Sequence, residues 1–460
     1  MNAVILQSLG AAETVTGSKH YLKTPELNIL VDCGLFQGIK RLREKNWQKL
    51  PVKPADIDVI ILTHAHLDHC GYIPLLVKGG FTGKIFMTMP TRELTELILL
   101  DSAKIQEEDA EKANRNRYSK HVPALPLYTT AEAETSFGNF VTVTCNTSIL
   151  LNDHVNFRLK PSGHILGACS VEILCYGKTI VFSGDIGRFQ SPILAAPDYF
   201  TSADFVIMES TYGNRLHEKD DPSEELAVII NKTIERGGNI IIPSFAVGRA
   251  QDLMYILIRL KKLNKIPDSI PIILDSPMAA TATDVLLRYP EFSKISEAEC
   301  QEINDNITIN RDYRNTARII NQRRSKIILA ASGMLTGGRV LEYVKSYIGD
   351  NRNTILLVGY QAEGTRGKAL QDKVHEIKIH GKYYAVKAEV AEVTGLSAHA
   401  DQSELIDWVR RFKTPPGQIM LVHGEPSAQE ALRVKIQYEL HIPVKILRPN
   451  DDVILYSCSD

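Results

Sequence analysis

The sequence predicts a layered α/β protein, and three observations carry that prediction. Apolar runs of strand length recur along the chain, segments of helical period lie between many of them, and several runs end directly on a polar residue. In order, residues 4–8, 27–31, 59–62, 84–87, 179–182 and 205–208 read as strands, followed by 239–242, 270–274, 326–330, 354–358 and 418–422. Residues 70–78 read as a helix. Residues 93–120 read as a long helix, apolar at first (Leu94, Leu97, Ile98, Leu100) and then a solvated polar face. Clearer amphipathic helices follow at 223–236 and 250–263. The strands end on Asp32, His64, Asp185, Glu209, Ser244, Ser332 and His423. In layered α/β folds the carboxyl end of a strand is the usual place for a ligand.

At 460 residues the chain holds about three domains' worth of sequence, at roughly 150 residues each. Its composition, 44% hydrophobic and 23% charged, excludes a disordered tail, a collagen-like rod and a small disulfide scaffold. No low-complexity stretch, repeat or long linker is present, so the domains are expected to be intimately joined. The 53 basic residues nearly cancel 54 acidic ones, so any anion-binding surface must be local. The amino terminus lacks a basic stretch followed by an apolar core, and no apolar run approaches the ~18–20 residues of a membrane span. A cytoplasmic protein without a membrane partner is expected. Seven cysteines, an odd number with no CxxC pair, fit reduced thiols.

The strongest signal is Thr63-His64-Ala65-His66-Leu67-Asp68-His69, directly after the apolar run 59–62. In an extended exit loop His64 and His66 project to the same side, because side chains alternate with period two. Asp68 and His69 then lie at a helix start and face a second position. Four candidate ligands within six residues serve two neighbouring metals better than one. Imidazole with carboxylate and no cysteine suits zinc first, then manganese or iron. Further ligands must come from other strand ends: His164 in a Ser-Gly-His-Ile-Leu-Gly segment, Asp185 in Ser-Gly-Asp-Ile-Gly, and His423 in Leu-Val-His-Gly-Glu. A carboxylate such as Asp185 can bridge two metals ~3.5–4 Å apart.

The series Asp32, His64-x-His66-x-Asp68-His69, His164 and Asp185 resembles the metallo-β-lactamase superfamily. Glu209, His399 and His423 resemble the further motifs of its β-CASP group of nucleic-acid-processing nucleases. Residues 9–18 (LGAAETVTGS) are similar to the start of prokaryotic homologues of the pre-mRNA 3′-end cleavage endonuclease subunit. The resemblance implies an αββα metallo-β-lactamase sandwich with an inserted α/β β-CASP domain. The sandwich is expected at 1–208 and 390–460, and the insert at 209–389. It implies two Zn2+, with Mn2+ or Fe2+ as substitutes: one held by His64, His66, His164 and Asp185, the other by Asp68, His69, His423 and the shared Asp185. Asp32 would orient this cluster or the water without ligating.

The implied reaction is hydrolysis of an RNA phosphodiester, in which two metals turn a bridging water into hydroxide at neutral pH. His399 would protonate the leaving 3′ oxygen, and Glu209 would accept a hydrogen bond from its other ring nitrogen. Products would carry 5′-phosphate and 3′-hydroxyl ends. RNA is expected over DNA because RNA-directed members of the group share a histidine at the position of His423, where DNA-directed members carry an aliphatic residue. Asp32, Asp68, Glu209 and His399 form the expected catalytic set.

Phosphate contacts are expected from strand-exit loops of the insert: Ser244 and Arg249 in Ser-Phe-Ala-Val-Gly-Arg, Ser332 and Gly333 before Arg339, and Arg366 in the loop 359–367, with Ser397 beside His399. The basic run 311–326 reads as a solvated helix face, with an RNA-facing one as the alternative. The competing classes are a DNA-directed β-CASP nuclease, another binuclear hydrolase of lactamase or thioesterase type, and a non-catalytic RNA-binding partner subunit. The first motif lies within ten residues of Met1 and the chain stops at Asp460. RNA affinity, for single strands, is therefore expected to reside in the two catalytic domains or in a homodimer of them. Endonuclease and 5′-exonuclease modes stay open.

Overall fold

A computed structural model describes residues 2–117, 119–217, 221–359, 361, 364–393 and 395–458. The chain forms two compact units. Met1–Phe189, Ala196–Leu216 and His399–Asp460 make the first; Gln190–Ala195 and His217–Ala398 make the second. Of the loop 359–367, residues 360, 362 and 363 lie outside the described residues. Among those described, no helix is long and apolar enough to cross a membrane, and the seven cysteines are free thiols.

The first unit is a sandwich of two seven-stranded sheets. One sheet runs in the order Asp452–Ser457, Ala3–Gly10, Lys19–Lys23, Asn28–Val31, Val59–Ile61, Lys84–Met87, Phe140–Thr142. The other runs Val444–Ile446, Gln418–Leu421, Phe205–Met208, Lys178–Phe182, Cys169–Cys175, Val155–Pro161, Ile149–Asn152. Alternate residues of both sheets meet in one core: Val31, Val59, Ile61 and Phe86 from the first, Phe157, Val171, Phe182, Ile207 and Met420 from the second. The intervening residues Val181, Val206, Met208, Ile419 and Leu421 face outward under the helices Gln402–Arg410 and Pro426–Leu440. Strands buried on both faces are continuously apolar, which is why the sequence marks them so clearly.

Strands Val155–Pro161 and Cys169–Cys175 carry no continuous apolar run, and the sequence reading passes over them. They are antiparallel, with Val155, Phe157 and Leu159 in the core and Asn156, Arg158 and Lys160 outside. Across their register Arg158 pairs with Glu172. The long helix runs Met89–Asn116, starting earlier than its apolar pattern suggests. Thr88 caps it by accepting from Thr91 N at 3.3 Å, and Pro90 fits the first turn, where its missing N–H is no loss. The expected helix 70–78 is two short helices, Leu67–Cys70 and Ile73–Lys78, so Asp68 and His69 stand within the first of them.

The second unit has a parallel sheet in the order Thr308–Ile309, Ile272–Leu274, Ile327–Ala330, Ile240–Pro243, Thr354–Val358, Glu389–Val393, with a separate hairpin, Glu376–Ile379 and Lys382–Ala385. Of the basic run 311–326, Arg311, Arg314, Arg318, Arg323 and Arg324 are exposed, as expected of a solvated face, and Lys326 departs from it. The run's helix is only Arg314–Ile320, and Lys326 is fully buried, donating to Asn239 Oδ1 and Gln322 O. Burial pushes its ammonium pKa down to about 8.

Candidate metal centre

The candidate ligands come from one end of both sheets of the first unit. Asp32 follows Asn28–Val31, His64 follows Val59–Ile61, Asp185 follows Lys178–Phe182, Glu209 follows Phe205–Met208 and His423 follows Gln418–Leu421. His164 lies in the turn between Val155–Pro161 and Cys169–Cys175, and His399 forms an isolated bridge with Gly187. Two backbone choices make the convergence possible. Asp32 and His423 both sit at positive φ (63° and 47°), a conformation that costs L-residues of order 1–3 kcal/mol and persists only where the surroundings hold it. Gly34 and Gly187 admit the neighbouring loops: a Cβ at Gly34 would lie 1.6 Å from Asp68 O, and one at Gly187 1.9 Å from Gly163 O.

Two sets of ligand atoms result. In the first, His64 Nε2 and His164 Nε2 each stand 3.1 Å from His66 Nδ1 and 3.4 Å from Asp185 Oδ2. In the second, His423 Nε2 is 3.2 Å from His69 Nε2 and 3.3 Å from Asp68 Oδ2. Asp185 Oδ1 lies 3.3 Å from His69 Nε2. A cation with ligands at ~2.0–2.1 Å in a tetrahedron needs them about 3.3 Å apart. The spacings match, and Asp185 Oδ1 is buried without a hydrogen-bond donor. The residues therefore fit metal ions.

A set of hydrogen bonds behind the ligands fixes which ring nitrogens face inward. Asp32 accepts from Thr63 N at 2.8 Å, from the Thr63 hydroxyl at 2.9 Å and from His69 Nδ1–H at 2.7 Å. With its proton committed to Asp32, Thr63 Oγ1 accepts from His64 Nδ1–H at 2.9 Å, leaving the His64 Nε2 lone pair for a metal. The same device recurs at the other sheet. Thr211 donates to Glu209 Oε2 at 2.6 Å and accepts from His423 Nδ1–H at 3.1 Å. Sequence reasoning gave Thr63 and Thr211 no role. Their signal is position: each adjoins a strand-end ligand or carboxylate in a run otherwise committed to metal chemistry.

Burial and mutual crowding push the pKa values of His64, His66 and His164 down, that of His66 to about 3, so these rings are neutral ligands. Burial opposes ionisation of Asp68 and Asp185, but the imidazoles around them win and hold both carboxyls below the usual carboxylate range. His399 behaves differently. Burial would lower its pKa, but Glu209, 3.2 Å from its Nδ1, and the more distant Asp185 and Asp68 raise it to about 9. Glu209 is itself fixed by Ile186 N at 2.6 Å.

The six residues expected to grip phosphate lie in the second unit. Ser244 is buried. Arg249 is 7% exposed and pairs with Asp252 at 3.6 Å. The N–H groups at the start of helix Arg249–Lys262, expected to meet an anion, have internal acceptors: Gly248 N donates to Gln251 Oε1, Arg249 N to Val247 O and Ala250 N to Phe245 O. Ser332 Oγ accepts from Thr336 N at 3.0 Å, and Gly333 packs beside Phe245. Arg366 donates to Lys378 O at 2.6 Å and Leu335 O at 3.0 Å. Ser397 is buried. Ser332 and Arg366 thus brace loops.

The double sandwich with histidine and aspartate clusters at its strand ends defines a metallohydrolase of the αββα class. Three family models match in succession: the metallo-beta-lactamase superfamily at residues 20–228, the Beta-Casp domain at 250–370 and the Zn-dependent metallo-hydrolase RNA specificity domain at 383–447. The chain is 32% identical over 440 residues to Ribonuclease TTHA0252 of Thermus thermophilus, covering 92% of this chain and 94% of that one. It is also 32% identical to Transcription termination factor FttA of Methanocaldococcus jannaschii, covering 95% of this chain and 70% of the factor. A crystal structure of a protein of unknown function from Enterococcus faecalis shares the fold, with a TM-score of 0.53 at 11% identity over 98% of this chain and 100% of that one. The chain belongs to the β-CASP group of the metallo-β-lactamase superfamily, and it is a metal-dependent hydrolase.

Proposed function

We propose that the chain is a ribonuclease that hydrolyses phosphodiester bonds of single-stranded RNA at a pair of zinc ions, leaving 5′-phosphate and 3′-hydroxyl ends. The observation that carries this reading is the His399–Glu209 pair beside the two ligand sets, since a protonated imidazole is what a 3′-oxygen leaving group needs. The similarity to a ribonuclease and the match to an RNA specificity domain supply the substrate class. His64, His66, His164 and Asp185 would hold one ion, and Asp68, His69, His423 and the shared Asp185 the other. When bound, such a pair supplies Lewis-acid stabilisation of the phosphoryl oxygens and an acidified water.

The chain's own groups do the rest. Asp32, through Thr63 and His69, and Glu209, through Thr211, hold the ligand imidazoles in the tautomers that leave an inward lone pair. Glu209 keeps a proton on His399. As a water that has released one proton to solvent bonds through its oxygen to phosphorus, in line with the departing 3′ oxygen, the bond from phosphorus to that oxygen breaks and the His399 proton passes to it. The test uses zinc-loaded protein with 5′-labelled linear and circular RNA. Cleavage of the circle shows endonuclease action, and cleavage of the linear RNA alone shows an end-dependent mode. His399→Ala should lose about 10²- to 10⁴-fold in kcat while keeping its zinc. Parental activity in that variant would refute the mechanism.

A further inference from the structure

The loop after strand Ile240–Pro243 presents Phe245 to solvent (41% exposed), and the loop after Thr308–Ile309 presents Tyr313 (57% exposed). Both sit at the carboxyl edge of the second unit's parallel sheet, where α/β sheets bind ligands. Neither is an aromatic on a loose loop. Ser244 N donates to Ala330 O, and Phe245 O accepts from Ala250 N. The ring lies against Gly333, where a Cβ would come within 3.1 Å of Phe245 Cδ2. The Gly333 loop is braced in turn by Gln361, which donates to Gly333 O, by Gly367 N on Met334 O, and by Arg366 on Leu335 O.

Tyr313 is held beside a pinned cation. The Arg339 guanidinium lies 5.7 Å from its ring centre and is anchored to Asp275 at 2.6 Å and to Arg311 O at 2.9 Å. The two strands that present the rings are separated by Ile272–Leu274 and Ile327–Ala330. Three strand spacings make about 14 Å between strand ends. At ~3.4 Å per stacked nucleotide, that is the reach of a short oligonucleotide. A rigid loop that keeps an apolar ring in water gains nothing for the fold by doing so. Unpaired bases are the ligand such rings suit, because every base has a π face and stacking tolerates any sequence.

We propose that Phe245 and Tyr313 are stacking platforms for unpaired bases of an RNA strand lying along the carboxyl edge of this sheet. The proposal rests on the ribonuclease reading. It assigns to aromatic faces a grip beyond that of Arg249 and Arg366, which pair with Asp252 and with backbone carbonyls, and so fits a chain with almost no net charge.

The test uses the full zinc-loaded chain with Phe245→Ala, Tyr313→Ala, the double variant and Phe245→Trp. Affinity is measured for a single-stranded RNA and for an abasic ribose-phosphate oligomer of equal length at fixed salt, together with KM and kcat on RNA. Each alanine variant should bind RNA roughly 5- to 100-fold more weakly, raise KM far more than it lowers kcat, and leave affinity for the abasic oligomer within about twofold. Phe245→Trp should bind like the parent. RNA affinity equal to the parent's in the double variant would overturn the proposal, as would an equal loss for the abasic oligomer. A parent that leaves RNA intact would overturn the ribonuclease reading and this proposal with it; a parent that cleaves RNA beside indifferent variants overturns the stacking alone.

Discussion

Asp185 follows strand Lys178–Phe182 in the first unit, and Asp275 follows Ile272–Leu274 in the second. Both side chains are buried, yet their surroundings are opposite. Asp275 accepts from Asn310 Nδ2 at 3.0 Å and Arg339 Nη1 at 2.6 Å on one oxygen, and from Thr316 Oγ1 at 2.8 Å and the Tyr343 hydroxyl on the other. Its charge is neutralised by the protein itself. Asp185 faces imidazole nitrogens at 3.3–3.4 Å, and its Oδ1 has no hydrogen-bond donor. A buried carboxylate without donors is costly unless something else compensates it. The difference separates a carboxylate that holds a fold together from one arranged for a cation.

The comparison can be broken most severely at Asp185. Asp185→Asn should lower zinc content, read by elemental mass spectrometry, and reduce hydrolysis on the order of 10³-fold. Thermal unfolding of the metal-free protein should change little, since the native carboxylate has few donors to lose; unfolding of the variant would erase the distinction. Asp275→Ala should do the reverse. It removes the buried acceptor of the half-buried Arg339 guanidinium and of Asn310, Thr316 and Tyr343, and should cost about 3 kcal/mol in denaturant unfolding, while zinc bound per folded molecule stays at the parental level.

Glu209 sharpens the comparison from between the two. It is fully buried, satisfied by Ile186 N and the Thr211 hydroxyl, yet also turned to His399 Nδ1. Its charge favours the protonated imidazole, so the acid form of His399 is present below its pKa and lost as pH rises through it. Glu209→Gln removes that support, and the alkaline limb of the pH–rate profile should move to lower pH by about one to two units. An unmoved limb would show that Glu209 serves the fold alone.

The sandwich and its strand ends were legible because doubly buried strands are continuously apolar and then stop abruptly on histidine or aspartate. His64, Asp185 and His423 share that signature, and the structure gathers His64, His66, His164 and Asp185, and likewise Asp68, His69 and His423, into tight sets. Antiparallel strands such as Val155–Pro161 escaped because half their side chains face water. Thr63 and Thr211 escaped because a hydroxyl relay is a property of geometry rather than composition. Arg249 and Arg366 read as free cations in the sequence, yet their partners, Asp252 and the carbonyls of residues 335 and 378, are visible only once the chain is folded. Lys326 misled in the same way, since only packing reveals that its ammonium is buried.

The contact between His69 and His423 spans 354 positions of the chain. At about 5–20 residues per second, a ribosome needs roughly 18 to 70 seconds to travel from one to the other. His64 and Asp185 come early, but the Asp68–His69 half waits for the strand Gln418–Leu421 to insert beside Phe205–Met208 and deliver His423. A chain ended before this strand lacks His423, and its Asp68–His69 set is incomplete. Synthesis order thus acts as a built-in delay on competence, and the full ligand constellation exists only in chains translated past the strand that closes it.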